Sequence, residues 1–509
     1  MKKLADLFYR AATENMDKEA IWCDGESKTY AELAELVNRY SNYFFEIGVR
    51  YGEHIGILMN NSIESVAVML AAANIGAALV PVNPTLPVDA VNKAFQCGEA
   101  KYVIARKYFF EKYSKDLMMN ENNRICMDAE YLNLPSLKNA EKCRSKRVFV
   151  EEVRGDEAYI ITMTSGSTGS PKPINLTQNN KYNRAMAHIS LYHITTEDRI
   201  LAATPLYHSL AERLVIMPLI LGATCVLLPR FTPDLYLKCI REQKVTFTIS
   251  VAAQLKQVAK LLSDSNYTEL ETLRCVVSSS MLLEEVIKNE LISKLKCEFH
   301  EMYGTSETST ITDINITQTP QKKKSVGKCL NEADVKIILE DGTVARYGQK
   351  GEIVCQTQLM CDGYYKQPQL FQNSLKDGYF KTGDLGYLDE DGYLYFTGRK
   401  KELIITGGIN VYPVDIENCI LEMDCIDQCA AFALPDEKLG EVVAVAIVVK
   451  SNADFQLKQL QFWCAKRLAD YQQPRKIFIT NEFPRNAMGK VIKSKLREIY
   501  LQGEKESNE

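Results

Sequence analysis

The sequence predicts an α/β protein with a large N-terminal domain of doubly wound sheets, a β-rich subdomain and a small C-terminal α+β domain. Three observations support this fold class. Short β-rich runs alternate with helical patterns over roughly the first 300 residues, Asp-Gly turns separate further strands, and the pattern changes again near residue 400. A chain of 509 residues is too long for one ordinary core, so at least one domain can enclose a buried site.

The parallel sheets are predicted from five β-rich runs, at residues 54–59, 102–105, 159–163, 247–251 and 275–278. Their alternation with helical patterns indicates sheets covered by helices on both faces. Two longer apolar runs, at residues 66–82 and 214–229, contain no charged residue, but both fall short of the roughly 20 residues that a membrane-spanning helix needs. We expect each of these runs to form a buried helix, a glycine break and a buried strand.

The second half of the chain predicts antiparallel strands at residues 335–339, 351–355 and 392–396. Beyond residue 400, two apolar strand patterns and one helix at residues 457–469 suffice for a small α+β domain. We therefore expect an N-terminal domain of residues 1–398, whose β-rich subdomain spans about 325–398. The C-terminal domain would span residues 399–509.

The composition excludes several classes of function. The 61 basic and 65 acidic side chains form no long block of one sign, so no nucleic-acid surface is expected. The fifteen cysteines and five histidines show no spacing typical of a zinc site, and Cys425 and Cys429 are expected to be an ordinary surface or core pair. The sequence has many cysteines that are not expected to form disulfides and no apolar signal stretch at the N-terminus. These two features predict a cytoplasmic location.

The loop at residues 164–172 is the most informative segment, and it follows directly on the apolar strand at 159–163. Two glycines allow the backbone to approach a ligand, while hydroxyls and N–H groups can surround an anion. The loop is not a GxxxxGK[ST] phosphate loop, because its lysine lies between two prolines. The candidate phosphate-binding residues are Thr164, Ser165, Gly166, Ser167, Thr168, Gly169 and Lys172.

This loop resembles the nucleotide loop of the adenylate-forming superfamily, which groups acyl- and aryl-CoA synthetases, peptide-synthetase adenylation domains and beetle luciferases. Further segments match this family in order and spacing: YGTSE at residues 303–307, TGD at 382–384, GR at 398–399 and a closing GK at 489–490. The resemblance therefore covers nearly the whole chain. It implies activation of a carboxylic acid by ATP, with release of pyrophosphate.

The resemblance also implies roles for the residues around the YGTSE segment. Tyr303 would stack on adenine, Ser306 would contact the α-phosphate, and Glu307 would bind Mg²⁺. Gly304 and Thr305 would complete this part of the nucleotide site. Glu301 stands where relatives often carry an amide that reads the adenine amino group, and a carboxylate can also accept from that group.

The remaining matches imply roles near the C-terminal domain. Asp384 would accept hydrogen bonds from both ribose hydroxyls, and Arg399 would hold ribose or phosphate. Lys490 would stabilise the charge that develops during adenylation. Lys401 would be the hinge about which a mobile C-terminal domain turns between the two half-reactions.

The segment PLYHSLA at residues 205–211 resembles the PLFH segment of acyl-CoA synthetases, which flanks the carboxylate pocket. It contains no acid, and an unpaired α-ammonium in a closed pocket would cost several kcal/mol. A substrate without an α-amino group is therefore expected, although Glu212 keeps the amino-acid alternative open. By position in the family, the pocket residues are His208, Val251, Ala252, Ser278 and Thr305.

Three functions compete at this point. The leading one is an AMP-forming acyl-CoA synthetase that uses ATP, Mg²⁺ and coenzyme A, with Lys490, Ser306, Glu307 and His208 as its catalytic candidates. The second is a stand-alone adenylating enzyme that loads the phosphopantetheine of an acyl carrier protein. The third is a non-catalytic nucleotide-binding relative. The sequence does not specify which carboxylic acid is used.

Overall fold

A computed structural model of the chain describes residues 3–58, 60–113, 115–165, 171–264, 270–451, 453–485 and 491–506. The chain divides into two compact units. The first comprises Met1–Lys323, Leu330–Asp334 and Gln356–Gly378, and the second comprises Lys324–Cys329, Val335–Cys355 and Tyr379–Glu509. The domain bounds predicted from the sequence stay a prediction.

Helices and strands alternate through the first third of the chain, as the sequence predicts. In chain order they are α1 (Leu4–Glu14), β1 (Glu19–Cys23), β2 (Glu26–Thr29), α2 (Tyr30–Glu46), β3 (His54–Leu58), α3 (Ile63–Ile75), β4 (Ala78–Pro81), α4 (Val88–Cys97), β5 (Tyr102–Ala105), α5 (Lys107–Tyr113), β6 (Arg124–Cys126), β7 (Ala158–Ser165) and β8 (Pro171–Thr177).

The alternation continues through the middle third. Its elements are α6 (Gln178–Leu191), β9 (Arg199–Ala202), α7 (Ser209–Leu221), β10 (Thr224–Leu227), α8 (Pro233–Glu242), β11 (Phe247–Val251), α9 (Ala252–Asp264), β12 (Cys275–Ser279), α10 (Glu285–Leu295), β13 (Glu298–Thr305) and β14 (Ser309–Asn315).

The last third is richer in strands. Its elements are β15 (Lys328–Cys329), β16 (Ala333–Ile338), β17 (Gly351–Thr357), α11 (Pro368–Gln372), β18 (Leu375–Lys376), β19 (Tyr379–Leu388), β20 (Leu394–Arg399), β21 (Ile404–Thr406), β22 (Ile409–Val411), α12 (Pro413–Leu421), β23 (Ile426–Asp436), β24 (Gly440–Val449), α13 (Leu457–Arg467), β25 (Lys476–Ile479) and α14 (Lys493–Glu506).

Two sheets organise the first unit. One has the order β6-β5-β3-β4-β7-β8, and its strands are parallel except for the antiparallel pair of β7 and β8. In the other, β14-β13-β12-β11-β9-β10-β1-β2 lie side by side, with antiparallel pairs only at the two ends of this run. The predicted doubly wound α/β class is confirmed, and the antiparallel edges add to it.

The core of the first unit explains the two long apolar runs. Helices α3 and α7 are buried on nearly all sides, and each ends at a left-handed glycine, Gly76 or Gly222, before a buried strand. A helix that is apolar all round belongs in a protein interior. One hydrophobic cluster joins these helices to strands of both sheets. No helix among the described residues is long and apolar enough to cross a membrane.

The second unit contains the predicted antiparallel strands. Strands β16, β17, β19 and β20 pair in that order, and β22-β21-β24-β23 form another sheet in which β25 pairs with β24. The predicted helix at 457–469 corresponds to α13, which ends two residues earlier. A separate apolar cluster of α12, α13 and the second sheet stabilises this part of the chain.

Candidate active site

The predicted phosphate loop connects the two strands of an antiparallel hairpin. In the register of β7 and β8, Ser165 lies opposite Pro171 and Thr164 lies opposite Lys172. The hairpin therefore brings both ends of the loop together behind a buried strand. Gly166, Ser167, Thr168 and Gly169 lie outside the described residues, so their predicted role is not tested.

Three of the predicted pocket residues lie at the edge of the larger sheet where the parallel strands β11 and β12 end. Val251 ends β11, Ala252 begins α9, and Ser278 lies near the end of β12 beside Glu301 of β13. Parallel strands end at the same edge, where α/β proteins form their ligand sites. The Ser278 hydroxyl is buried and has no hydrogen-bond partner among the described residues.

The YGTSE segment ends strand β13 with its first three residues and enters the turn to β14 with its last two. The register shifts between Tyr303 and Gly304, so β14 carries one extra residue opposite this step, beside the predicted nucleotide contact. A side chain at Gly304 would overlap the backbone oxygen of Ser309, which requires glycine there. Thr305 closes the turn, because its hydroxyl lies 3.0 Å from that of Thr308.

Glu307 and Lys172 meet at one tyrosine that the sequence analysis did not identify. The Tyr364 hydroxyl donates a 2.9 Å hydrogen bond to Oε1 of Glu307. The Lys172 ammonium lies 5.3 Å from the centre of the Tyr364 ring, within the range of a cation–π contact. Burial, reinforced by the charge of Glu307, raises the pKa of Tyr364, so its hydroxyl stays protonated and donates.

A buried arginine fixes the backbone of Glu307. Arg184 on α6 donates 2.8 Å from Nη2 to the Glu307 carbonyl and 2.9 Å from Nε to the Leu359 carbonyl. The amide of Cys361 donates to the same Glu307 carbonyl at 2.7 Å. Burial lowers the pKa of Arg184 to about 10, so the guanidinium remains charged at neutral pH. The backbone carbonyl of the predicted magnesium ligand Glu307 is therefore held by two hydrogen-bond donors.

Arg184 belongs to a buried charged cluster that joins α6 to α7. Lys181 forms an ion pair with Glu212, and Arg213 donates 3.0 Å to Nε2 of His188. All five side chains are at most 6% exposed. Burial lowers the pKa of His188 well below 6.5, which keeps its ring neutral and Nε2 free to accept from Arg213.

The sequence carried a signal for this cluster. Lys181, Arg184 and His188 recur at intervals of three and four residues, which places them on one face of a helix. Such a polar face is ordinarily assigned to solvent. In α6 it is the buried face, so the residues were missed. The helix begins at a capping box in which Thr177 and Asn180 satisfy each other's backbone amides.

The carboxylate of Glu301 is committed to the protein itself. It forms an ion pair with Lys288 and accepts a 3.0 Å hydrogen bond from the amide of Leu283. It is 1% exposed, and burial raises its pKa. These contacts shape the loop after β12, and the predicted adenine contact of Glu301 stays a prediction.

His208 lies at the N-cap of α7, and its ring packs at a tilt against that of its neighbour Tyr207. Its ring centre is 4.5 Å from that of Tyr207, and its Nε2 is buried without a hydrogen-bond partner among the described residues. Burial lowers its pKa to about 4. The ring is therefore neutral at pH 7 and can accept or donate one hydrogen bond.

The second unit holds the predicted ribose site. Asp384 and Arg399 lie opposite each other in the pair of β19 and β20, and Nε of Arg399 is 2.7 Å from the Asp384 carboxylate. Asp384 is 1% exposed, and the left-handed Gly383 turns the strand just before it. Lys401 is exposed in the turn after β20. Lys490 lies outside the described residues, and all these roles stay predictions.

Comparison with known proteins shows that the fold is that of the adenylate-forming enzymes. Residues 8–365 match the family described as AMP-binding enzyme, and residues 415–490 match the AMP-binding enzyme C-terminal domain. The protein belongs to the AMP-binding enzymes.

Individual relatives span nearly the whole chain. The long-chain-fatty-acid–CoA ligase FadD13 of Mycobacterium tuberculosis is 29% identical over 475 residues, 93% of each protein. The o-succinylbenzoate CoA synthetase MenE of Bacillus subtilis, solved with the acyl-adenylate OSB-AMP, is 27% identical with a TM-score of 0.86, over 96% of this chain and 97% of that one. Its structure with ATP and magnesium ion has a TM-score of 0.85 at 27% identity, over 96% and 99%.

These matches confirm the predicted superfamily, fold class and enzyme class, an AMP-forming acid–thiol ligase. They also confirm ATP, Mg²⁺ and coenzyme A as the predicted ligands. The CoA ligase is favoured over both the carrier-protein ligase and the non-catalytic relative.

Tyr364→Phe should weaken Mg²⁺ binding, because it removes the hydroxyl that orients Glu307. Partners that orient a metal ligand typically contribute 10-fold or more in affinity, so the Mg²⁺ concentration at half-maximal activity should rise roughly 10-fold. Tyr365→Phe is the matched control, since its hydroxyl contacts Glu99 at the surface. Equal responses in the two variants would contradict the role of Tyr364.

His208 should titrate far below an ordinary histidine. Its pKa falls from 6.5 to about 4 on folding, so the unfolded chain binds a proton that the native protein rejects. The resulting stability is complete above pH 6.5 and is lost as pH falls towards 4. An NMR titration of the ring, assigned by its absence in His208→Asn, measures this directly. A midpoint near 6.5 would show that the ring is solvated.

Proposed function

We propose that this AMP-forming ligase acts on a carboxylic acid that carries no α-amino group. In the first step a substrate carboxylate oxygen bonds to the α-phosphorus of ATP and pyrophosphate leaves. In the second step the sulfur of coenzyme A bonds to the acyl carbon and AMP leaves. The ion pair between Glu212 and Lys181 is the observation that supports this substrate class.

Glu212 is the carboxylate next to the PLYHSLA segment, and its negative charge is already balanced by Lys181, although its Oε1 has no hydrogen-bond partner among the described residues. Its side chain is 1% exposed, and one oxygen is taken by the Lys181 ammonium. It also lines an apolar cavity of about 20 Å³, which has room for little more than one water molecule. An amino acid would therefore bury its α-ammonium without a counter-charge, which is far costlier than a missing methylene.

Two sides of the proposed reaction centre have opposite chemistry. The neutral ring of His208 and the ends of β11 and β12 provide small or apolar groups for the acyl side. Glu307 provides a half-buried carboxylate, a hard oxygen ligand suited to Mg²⁺. The bound ion would neutralise phosphate charge during adenylation. Lys490 would add a second positive charge there.

The proposed setting is the cytoplasm. All fifteen cysteines lie in the described part of the chain, and none of them forms a disulfide. Most are buried, and burial raises the pKa of thiols such as Cys225 and Cys275 and so keeps them protonated. Free thiols on this scale are typical of a reducing compartment.

An ATP–pyrophosphate exchange panel tests the substrate class. Short, medium, long and aromatic acids are compared with the twenty amino acids at equal concentration, with and without coenzyme A. At least one plain acid should give exchange at least roughly 10²-fold above any amino acid, since an unpaired buried charge costs several kcal/mol. With coenzyme A, AMP and thioester should form one for one.

Two results would count against the proposal. Exchange driven by an amino acid alone would overturn the substrate class. Adenylation of a plain acid without transfer to coenzyme A, but with transfer to a carrier-protein phosphopantetheine, would support the second candidate function.

A further inference from the structure

We infer that Cys275, Glu298 and His300 form a zinc-binding site at the edge of the larger sheet where β12 and β13 begin. One potential ligand atom of each residue lies within 4.8 Å of the other two. The site is separate from the proposed reaction centre, because those strands reach Ser278 and Tyr303 only at their opposite ends.

The strand register creates this cluster. Cys275 lies beside Glu298 in the parallel pair of β12 and β13, and His300 follows Glu298 by two residues. Alternate residues of a strand share one face, so the three side chains project from the same side of the sheet. Nε2 of His300 is 3.8 Å from the Glu298 carboxylate. Sequence spacing alone did not indicate this site, because its members come from two strands.

His300 is held in the orientation that a metal ligand needs. Its Nδ1 lies 2.7 Å from Oδ2 of Asp313, while Asp313 accepts a 2.9 Å hydrogen bond from the Tyr192 hydroxyl through its other oxygen. When Nδ1–H donates to that carboxylate, Nε2 carries the lone pair. A histidine that binds zinc through one nitrogen and donates to a carboxylate through the other is the usual arrangement.

The charges and ligand types favour zinc. Cys275 would lose its thiol proton to solvent when the ion binds, and the resulting thiolate and the Glu298 carboxylate would neutralise a divalent ion, with His300 as a neutral third ligand. Thiolate ligands select zinc over magnesium or calcium. The positive charge of the neighbouring Arg274 does not oppose the binding of a cation, because the Arg274 guanidinium is paired with the Asp198 carboxylate at 2.8 Å.

Zinc binding would require a short movement of the ligand atoms and would leave one coordination position open. Tetrahedral zinc with ligands at 2.0–2.3 Å requires ligand atoms about 3.5 Å apart, so the widest separation here would close by roughly 1 Å. Glu298 is exposed and can make this adjustment, since its contact is a 3.2 Å hydrogen bond from Gln318. Water would be the fourth ligand. An ion here would join β12 to β13 and stabilise the folded chain.

The test is zinc affinity of the full chain after removal of metal with a chelator, measured by competition with a chromophoric chelator. The unmodified protein should bind one Zn²⁺, and Glu298→Gln and His300→Asn should each weaken binding at least 10-fold. Glu298 is exposed, so its variant is expected to fold. Asp313→Asn should weaken binding 10- to 100-fold, as for other residues that orient a zinc ligand. Cobalt substitution should give a thiolate charge-transfer band that Cys275→Ser removes.

Two matched controls separate this site from adventitious binding. Cys329→Ser removes an exposed thiol, and His193→Asn removes an exposed histidine whose φ of 50° asparagine tolerates. Both controls should bind zinc with the affinity of the unmodified protein. Zinc should also raise the melting temperature of the unmodified protein and of both controls, but not that of His300→Asn. Zinc affinity that is unchanged in Glu298→Gln and His300→Asn, or lost equally in the controls, would overturn the proposal. The absence of any zinc binding would do the same.

Discussion

The guanidinium of Arg184 reaches from helix α6 to two carbonyl oxygens, those of Glu307 and Leu359, in an interior where it is 1% exposed. Burying a cation is costly unless its donors are satisfied; Nε and Nη2 of Arg184 are bonded, whereas Nη1 has no hydrogen-bond partner among the described residues. These bonds link the helix, the hairpin of β13 and β14, and the segment that carries Tyr364. The position of the proposed magnesium ligand thus depends on one charge inside the protein.

The cluster around Arg184 also carries an excess of positive charge. Lys181, Arg184 and Arg213 are opposed by Glu212 alone among the five clustered side chains, because His188 is neutral. Burial lowers the pKa of Lys181 to about 8 and that of Arg213 to about 9, so both remain charged at neutral pH. A buried positive excess favours anions nearby. That preference suits a carboxylate substrate and a nucleoside triphosphate. The ion pair of Glu212 with Lys181 removes the counter-charge that a substrate amine would need.

The sequence predicted most of the fold, because apolar periodicity and glycine breaks locate the buried strands and helices. It did not predict the buried face of α6, where polar residues at helical spacing point inwards. For Glu301, motif position did not indicate the contacts with Lys288 and Leu283, while its predicted adenine contact stays a prediction. The cluster of Cys275, Glu298 and His300 depends on strand register, which a sequence specifies only through the folded sheet. Motifs in the sequence predicted roles for individual residues. Contacts between residues that are distant in the sequence could be identified only from the structure.

The most direct measurement of this account compares Arg184→Lys with Arg213→Lys in the Mg²⁺ dependence of ATP–pyrophosphate exchange. Lysine keeps the charge but cannot make both carbonyl contacts at once with the same geometry. Arg213 is also buried in the cluster and contacts His188 and Thr310, not Glu307. If Arg184 positions Glu307, its variant should need roughly 10-fold more Mg²⁺ for half-maximal exchange, while the Arg213 variant at equal melting temperature should not. A folded Arg184→Lys protein with an unchanged Mg²⁺ requirement would contradict the account.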